Sequence, residues 1–260
     1  MSFFEQHAHY NDEKFNEDRN EVIKQVYNFG VTKIVNAGYS VESSKQAIEL
    51  AEKYNFIYST CGISPNDIPE NKDEMDVQIE EVKALAKSSK KIVAIGEIGL
   101  DYYWNKENKE LQKYAFIEQI KIANEMNLPI VIHTREAVDD TLNILRNVIQ
   151  TVKPGVFHCC PLNRELVKQA LELGFYISLA GPITFKNSKN ANEIIEMIPN
   201  DKMLIETDSP YLSPEPRRGK RNDSRNLVYI AEKIASVKNI SVEEIQKITF
   251  ENTEKLYNIK

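Results

Sequence analysis

Residues 92–133 decide the fold: IVAIGEIGLDYYWNKENKELQKYAFIEQIKIANEMNLPIVIH. The stretch opens on a short apolar, β-branched run, Ile92–Gly96, and crosses a polar and aromatic segment into a stretch with helical spacing, Glu110–Met126. It closes on a second apolar run, Ile130–His133. Strand, helix, strand at this pitch is a parallel βα unit, because a crossover helix returns the chain to run in its original direction.

The same alternation recurs on both sides. Further strand-like runs lie at Phe3–His9, Lys33–Ala37 and Ile57–Gly62 before it, and at Gly155–Cys159, Phe175–Leu179 and Met203–Asp208 after it. Between them come helical patterns at Glu21–Phe29, Ser43–Tyr54, Val77–Lys87, Ala137–Ile149, Arg164–Leu173 and Ala191–Ile198. Eight parallel βα units predict an α/β protein with a closed (β/α)8 TIM barrel. The span 1–260 reads as a single domain, since such barrels commonly run to about 250 residues. After the loop 209–223 two more helical patterns follow, Arg225–Ser236 and Val242–Tyr257, so an extra helix is expected at the C-terminal end; Ser241 and Glu244 form its capping box.

Bulk properties narrow the function classes. No apolar run approaches the roughly 20 residues of a membrane span, and the opening MSFFE lacks the basic and apolar regions of a secretory signal, so a cytoplasmic protein without membrane attachment is expected. No obligate protein partner is indicated. Cys61, Cys159 and Cys160 cannot build a disulfide framework and read as reduced thiols. A net charge of −6 excludes non-specific coating of nucleic acid, which needs a general excess of Lys and Arg, so a phosphate-bearing substrate would have to meet a local positive site.

All four histidines fall at the C-terminal ends of predicted strands: His7 and His9 on the first, His133 on the fifth, His158 on the sixth. That end of an α/β barrel is where active sites form. Two acids join them, Glu97 just past the fourth strand and Asp208 at the end of the eighth. Residues i and i+2 of a strand share a face, so His7 and His9 can enter the barrel mouth together. Six mixed imidazole and carboxylate donors exceed the three protein ligands of a single open catalytic zinc, which points to two divalent ions (Mg2+, Mn2+ or Zn2+) with Glu97 as bridge. Asp208 would ligate one ion and orient or deprotonate the attacking water, making Glu97 and Asp208 the catalytic pair.

At these residues the chain resembles the TatD family of metal-dependent deoxyribonucleases, a branch of the amidohydrolase superfamily. The motifs are HAHYNDEKFNEDR from residue 7, GEIGLDYYW at 96–104, LPIVIHTREA at 128–137, GVFHC at 155–159 and ETDSPYLSPEPRRGKRN at 206–222. The resemblance implies a (β/α)8 barrel with up to two divalent ions and 3′→5′ exonuclease or endonuclease activity on DNA, with single strands or 3′ ends as substrate. It assigns His7, His9, Glu97 and Asp208 to one metal site and Glu97, His133 and His158 to the other, and makes Arg135 a phosphate contact. Three departures stand out. Glu5 replaces the family's Asp, and is expected to orient His7. Ser64 and Asn66 replace histidines expected to face the site, which bears on rate or substrate range. HCCPLN replaces HCFSG over the site.

Other residues carry paired readings. Arg217, Arg218, Lys220 and Arg221 form the densest basic cluster, either a phosphate site, with Arg218, Lys220 and Arg221 as contacts, or a solvated loop. Arg135 is a phosphate contact or the partner of Glu136 or Asp101. Asp101 supports a ligand or caps the following loop. Tyr102, Tyr103 and Trp104 stack on a base or pack the rim. Glu206 is a third site carboxylate or the buried partner of a loop arginine. Cys61 and Cys159 are soft ligands or packing. The leading expectation is a hydrolase of DNA phosphodiesters; the alternatives are a small-molecule amidohydrolase or phosphoesterase, and a catalytically weakened metal-binding paralogue.

Overall fold

Every predicted strand forms in the computed structural model, which describes residues 2–150 and 154–259. The strands are β1 (Phe3–Ala8), β2 (Val31–Asn36), β3 (Ile57–Cys61), β4 (Ile92–Asp101), β5 (Ile130–Arg135), β6 (Gly155–Phe157), β7 (Tyr176–Leu179) and β8 (Met203–Ile205). They make one sheet in sequence order, each pair parallel. The ring closes at the β1 and β8 ends, where Asp208 N–H donates to His7 O at 3.1 Å and His9 N–H to Ser209 O at 2.7 Å. The sequence-based expectation of a (β/α)8 barrel is met.

The helices are α1 (Arg19–Phe29), α2 (Val41–Lys53), α3 (Lys72–Leu85), α4 (Lys109–Met126), α5 (Val138–Val148), α6 (Arg164–Glu172), α7 (Ala191–Met197), α8 (Leu227–Lys238) and α9 (Val242–Tyr257). Ser241 caps α9 by accepting the Glu244 N–H, as expected. Helix α3 starts five residues before the predicted Val77, because Asn71 caps a polar first turn that precedes the apolar period.

Alternating strand residues feed two apolar clusters, the signature of a sheet buried on both faces. Ile34, Ile132, Phe157 and Ile177 pack outward against the helices. Val35, Val131, Val156 and Leu204 belong to a second cluster with Phe4. Leu256, Tyr257 and Ile259, at and beyond the end of α9, are buried in that second cluster, so the extra helix helps to fill the barrel.

Strand β4 differs most from expectation. It was predicted to end at Gly96 and instead runs to Asp101, pairing Gly99 with His133 and Asp101 with Arg135. Glycines usually read as strand terminators, but here one permits close approach: Gly99 has φ +143°, and a Cβ there would lie 1.9 Å from His133 O. In the opposite sense, β6 and β8 stop before His158 and Asp208. Both residues sit where the backbone leaves the ladder, with Cys159 at φ 36° and Asp208 at φ 56°.

Candidate metal centre

The six predicted ligand residues converge. His7 Nε2 and His9 Nε2 lie 3.1 Å apart. Glu97 Oε2 is 3.4 and 3.7 Å from them, and Asp208 Oδ1 is 3.7 and 3.2 Å away. The other Glu97 oxygen, Oε1, is 3.0 Å from His133 Nδ1 and 3.3 Å from His158 Nε2. Those two nitrogens are themselves 3.3 Å apart. One carboxylate therefore serves two imidazole pairs, one oxygen to each.

Hydrogen bonds on the far side of three rings decide which nitrogen faces inward. His9 Nδ1 meets Ala37 O at 3.1 Å, His133 Nε2 meets Asp101 Oδ2 at 2.9 Å, and His158 Nδ1 meets Glu206 Oε1 at 3.2 Å. In the neutral ring each acceptor takes the N–H, so the opposite nitrogen presents its lone pair to the centre. Lone pairs and carboxylate oxygens converging at 3.0–3.7 Å repel one another unless protons or metal cations lie among them. The donor set thus fits divalent metal ions.

Charge follows from the crowding. Burial alone would raise the Glu97 carboxyl, but His158, His133 and His7 hold it well below the usual range. Burial likewise opposes protonation of His158, yet Glu97 and Glu206 raise it well above the ordinary histidine value. His133 is raised against burial by Asp101 and Glu97, and His9 by Asp208 and Glu97. His7 moves the other way, lowered by burial and by His158.

The local backbone explains the convergence. His7 on β1 and His9, just past its end, converge beside a register irregularity between Glu5 and Ala8. Glu97 sits on the β4 extension, and Asp208 tolerates its left-handed conformation as short polar residues do. Such strained positions concentrate at functional sites.

Several side readings need correction. Glu5 does not orient the His7 ring; its Oε1 accepts the N–H groups of His7 and Thr207, and its Oε2 the Thr207 hydroxyl, so it stabilises the β1–β8 seam instead. His7 Nδ1 has no hydrogen-bond partner among the described residues. Glu206 serves no arginine: it accepts from His158, from Cys159 N–H at 2.8 Å and from Gln6 at 3.4 Å. Arg135 pairs with neither Glu136 nor Asp101; its guanidinium lies 3.8 Å over the Tyr103 ring and 5.4 Å from Trp104. Asp101 fills both of its readings, supporting His133 through Oδ2 and accepting Tyr103 and Trp104 N–H through Oδ1, each at 2.9 Å. Tyr102 packs, with its hydroxyl on Asp140, whereas Tyr103 and Trp104 are exposed.

Arg221 makes a bidentate pair with Asp18 at 2.6 and 2.9 Å and a bond to Lys14 O, and it lines the same cleft as Arg218. Arg218 lies 4.1 Å over Phe185 and lines, with Lys220 and Tyr211, a cleft of about 780 Å3. Asn66 reaches Asp101 Oδ2 at 3.4 Å, and Ser64 donates to Asp67 Oδ2 at 2.5 Å. Asp67 was not anticipated. Burial raises its pKa, and the carboxyl lies near enough to Glu97, His9 and His133 to feel their charge. No spacing rule marks it, because it belongs to a loop. Burial pushes the Cys61 thiol up to about 12, consistent with packing.

A parallel barrel whose mouth gathers imidazoles and carboxylates in this way defines a metal-dependent hydrolase. The comparisons narrow that class: the chain matches the family TatD related DNase over residues 4–258, and it belongs to the TatD family. It is 42% identical to the metal-dependent hydrolase YabD of Bacillus subtilis, over 98% of this chain and 99% of that one. It is 33% identical to the 3′-5′ ssDNA/RNA exonuclease TatD of Citrobacter rodentium, covering 95% and 94% of the two chains. Among solved structures, the TatD homologue YjjV of Escherichia coli superposes with a TM-score of 0.92 at 26% identity, over 99% of this chain and 98% of that one.

Proposed function

We propose that the protein cleaves phosphodiester bonds at the 3′ ends of single-stranded nucleic acid, using two divalent metal ions that share Glu97. The observation that carries this reading is the division of Glu97, with Oε2 toward His7 and His9 and Oε1 toward His133 and His158. His7, His9, Asp208 and one oxygen of Glu97 would hold one ion; His133, His158 and the other oxygen would hold the second. Mg2+, Mn2+ and Zn2+ all accept such oxygen and imidazole donors, Zn2+ and Mn2+ suiting imidazole better. Bound there, a metal pair supplies neutralisation of phosphoryl charge and a water of lowered pKa.

The chain's own residues do the rest. Asp208 stands at the edge of the centre, with Oδ1 3.2 Å from His9 Nε2 and 3.7 Å from His7 Nε2, where its carboxylate can accept the proton of the attacking water. Arg135, whose guanidinium N–H groups have no acceptor among the described residues, supplies donors for a phosphate beside His133. Arg218 and Lys220 form a second positive station across the mouth. The exonuclease name of the Citrobacter rodentium relative supports a single-stranded nucleic-acid substrate.

The test is incubation of metal-loaded protein with end-labelled single-stranded DNA and RNA and with a panel of small esters and amides, with and without chelator. Shortening from the 3′ end that chelator abolishes is expected. Turnover of small substrates alone overturns the nuclease reading, and no turnover of any substrate overturns the enzyme reading altogether.

A further inference from the structure

Beyond the metal centre, the most exposed large aromatic of the described residues is Trp104, 68% exposed, beside Tyr103 at 40%. Their rings meet edge to face, with centroids 4.8 Å apart. Adjacent exposed aromatic rings offer flat faces for a ligand to stack on. The segment is not loose: both backbone N–H groups are tied to Asp101 Oδ1, whose other oxygen bonds His133. The register of β4 on β5 sets Arg135 opposite Asp101, and its guanidinium stacks over Tyr103.

Two cations flank Tyr103, and a third lies at the buried Tyr102. Besides Arg135, Lys106 Nζ lies 6.0 Å from the Tyr103 centroid and Lys109 Nζ lies 4.4 Å from that of Tyr102. The same segment carries Asp101, Glu107 and Glu110, so the cations act at the ring faces rather than as a net positive patch. Flat aromatic faces interleaved with basic side chains recognise unpaired nucleotides, with bases stacking on the rings and phosphates meeting the cations, and without sequence preference.

We infer that Tyr103, Trp104 and Arg135 form a base-stacking platform that seats an unpaired nucleotide next to the scissile phosphodiester. The inference rests on the nuclease reading above and deepens it, since it makes single-strand preference a property of one loop. Asp101 is a positioning residue here: it fixes the platform to the same side chain that orients His133. A base seated on Trp104 holds its strand at a set distance from the metal ligands.

Trp104 is the only tryptophan of the chain, so emission excited selectively at tryptophan, away from the tyrosine absorption, reports on the platform alone. The probes are a phosphorothioate-linked oligothymidylate, which resists cleavage, and an abasic phosphorothioate strand of equal length, both added to metal-loaded protein. Saturable quenching by the thymidylate strand and little by the abasic strand is expected. In parallel, KM is measured for the cleavable phosphodiester versions. Wild type should favour the base-bearing strand by about tenfold or more, stacking being worth that much per base. Trp104→Ala should collapse that ratio toward one, and Trp104→Phe should restore part of it. Equal quenching by both strands, or a ratio unchanged in Trp104→Ala, overturns the platform while cleavage itself stands. Absence of cleavage of either strand by the wild type overturns the nuclease reading, and the platform with it.

Discussion

The floor and the rim of the barrel mouth are held by different forces. On the floor His7, His9, Glu97 and His158 are all at most 7% exposed, and the rings of His9, His133 and His158 are aimed by a fixed acceptor on their outer nitrogens. At the rim Trp104, Tyr103 and Arg135 hold one another by ring and cation contacts, and Arg221 is held by a surface pair. Buried polar groups lose their full desolvation energy when a partner goes, whereas exposed cation–π and ion pairs are worth about 0.5–1 kcal/mol each. Floor substitutions should therefore act all or none, and rim substitutions by degrees.

The largest effect is expected at His133. His133→Ala should remove detectable hydrolysis of every substrate while the far-ultraviolet spectrum stays native; a surviving rate would mean that the chemistry lies elsewhere. Asp101 joins floor to rim and sharpens the comparison. Asp101→Ala should weaken metal binding by about 10–100-fold, the usual cost of losing a carboxylate behind a ligating histidine. If metal titration is unmoved and only KM rises, Asp101 belongs to the rim.

Glu5 offers a test by pH. Burial, partly offset by bonds from Thr207, pushes its carboxyl from the ordinary 4.5 up to about 8. A folded pKa above the unfolded one favours the protonated form, so its contribution to stability is complete below about pH 4.5 and drains away as pH rises toward 8. Denaturant unfolding of the metal-free protein should show a smaller loss between pH 5 and pH 8 in Glu5→Gln than in wild type. Equal losses would show that Glu5 ionises freely in the fold. The smallest effect is expected at Arg221, where the pair with Asp18 is more than one-third exposed on both sides. Arg221→Ala should cost about 1 kcal/mol or less in stability and leave KM nearly unchanged; a large rise in KM would return it to the substrate contacts.

The same division governs how much the sequence reveals. The floor residues are legible because each stands at or just past the end of an apolar run in the sequence, and because His, Asp and Glu are residue types that bind divalent ions. Strand ends are less legible where glycine is used for close approach, as at Gly99, so β4 is longer than its pattern. Partners made by tertiary contact leave no periodic trace: Glu206 behind His158, Ala37 O behind His9 and Asp67 on its loop are adjacent to the centre only after folding. Basic clusters mislead for a related reason. Arg221 and Arg218 are three residues apart in one loop, yet the first is paired with Asp18 of the neighbouring loop after β1 and the second lies over Phe185.

The central claim is that Glu97 is shared between two metal sites, and native mass spectrometry of Mn2+- or Zn2+-loaded protein tests it most directly. The account predicts two ions bound to each wild-type chain and a loss of at least one in Glu97→Gln. A single ion in the wild type, or two retained in Glu97→Gln with unchanged affinity, would contradict it.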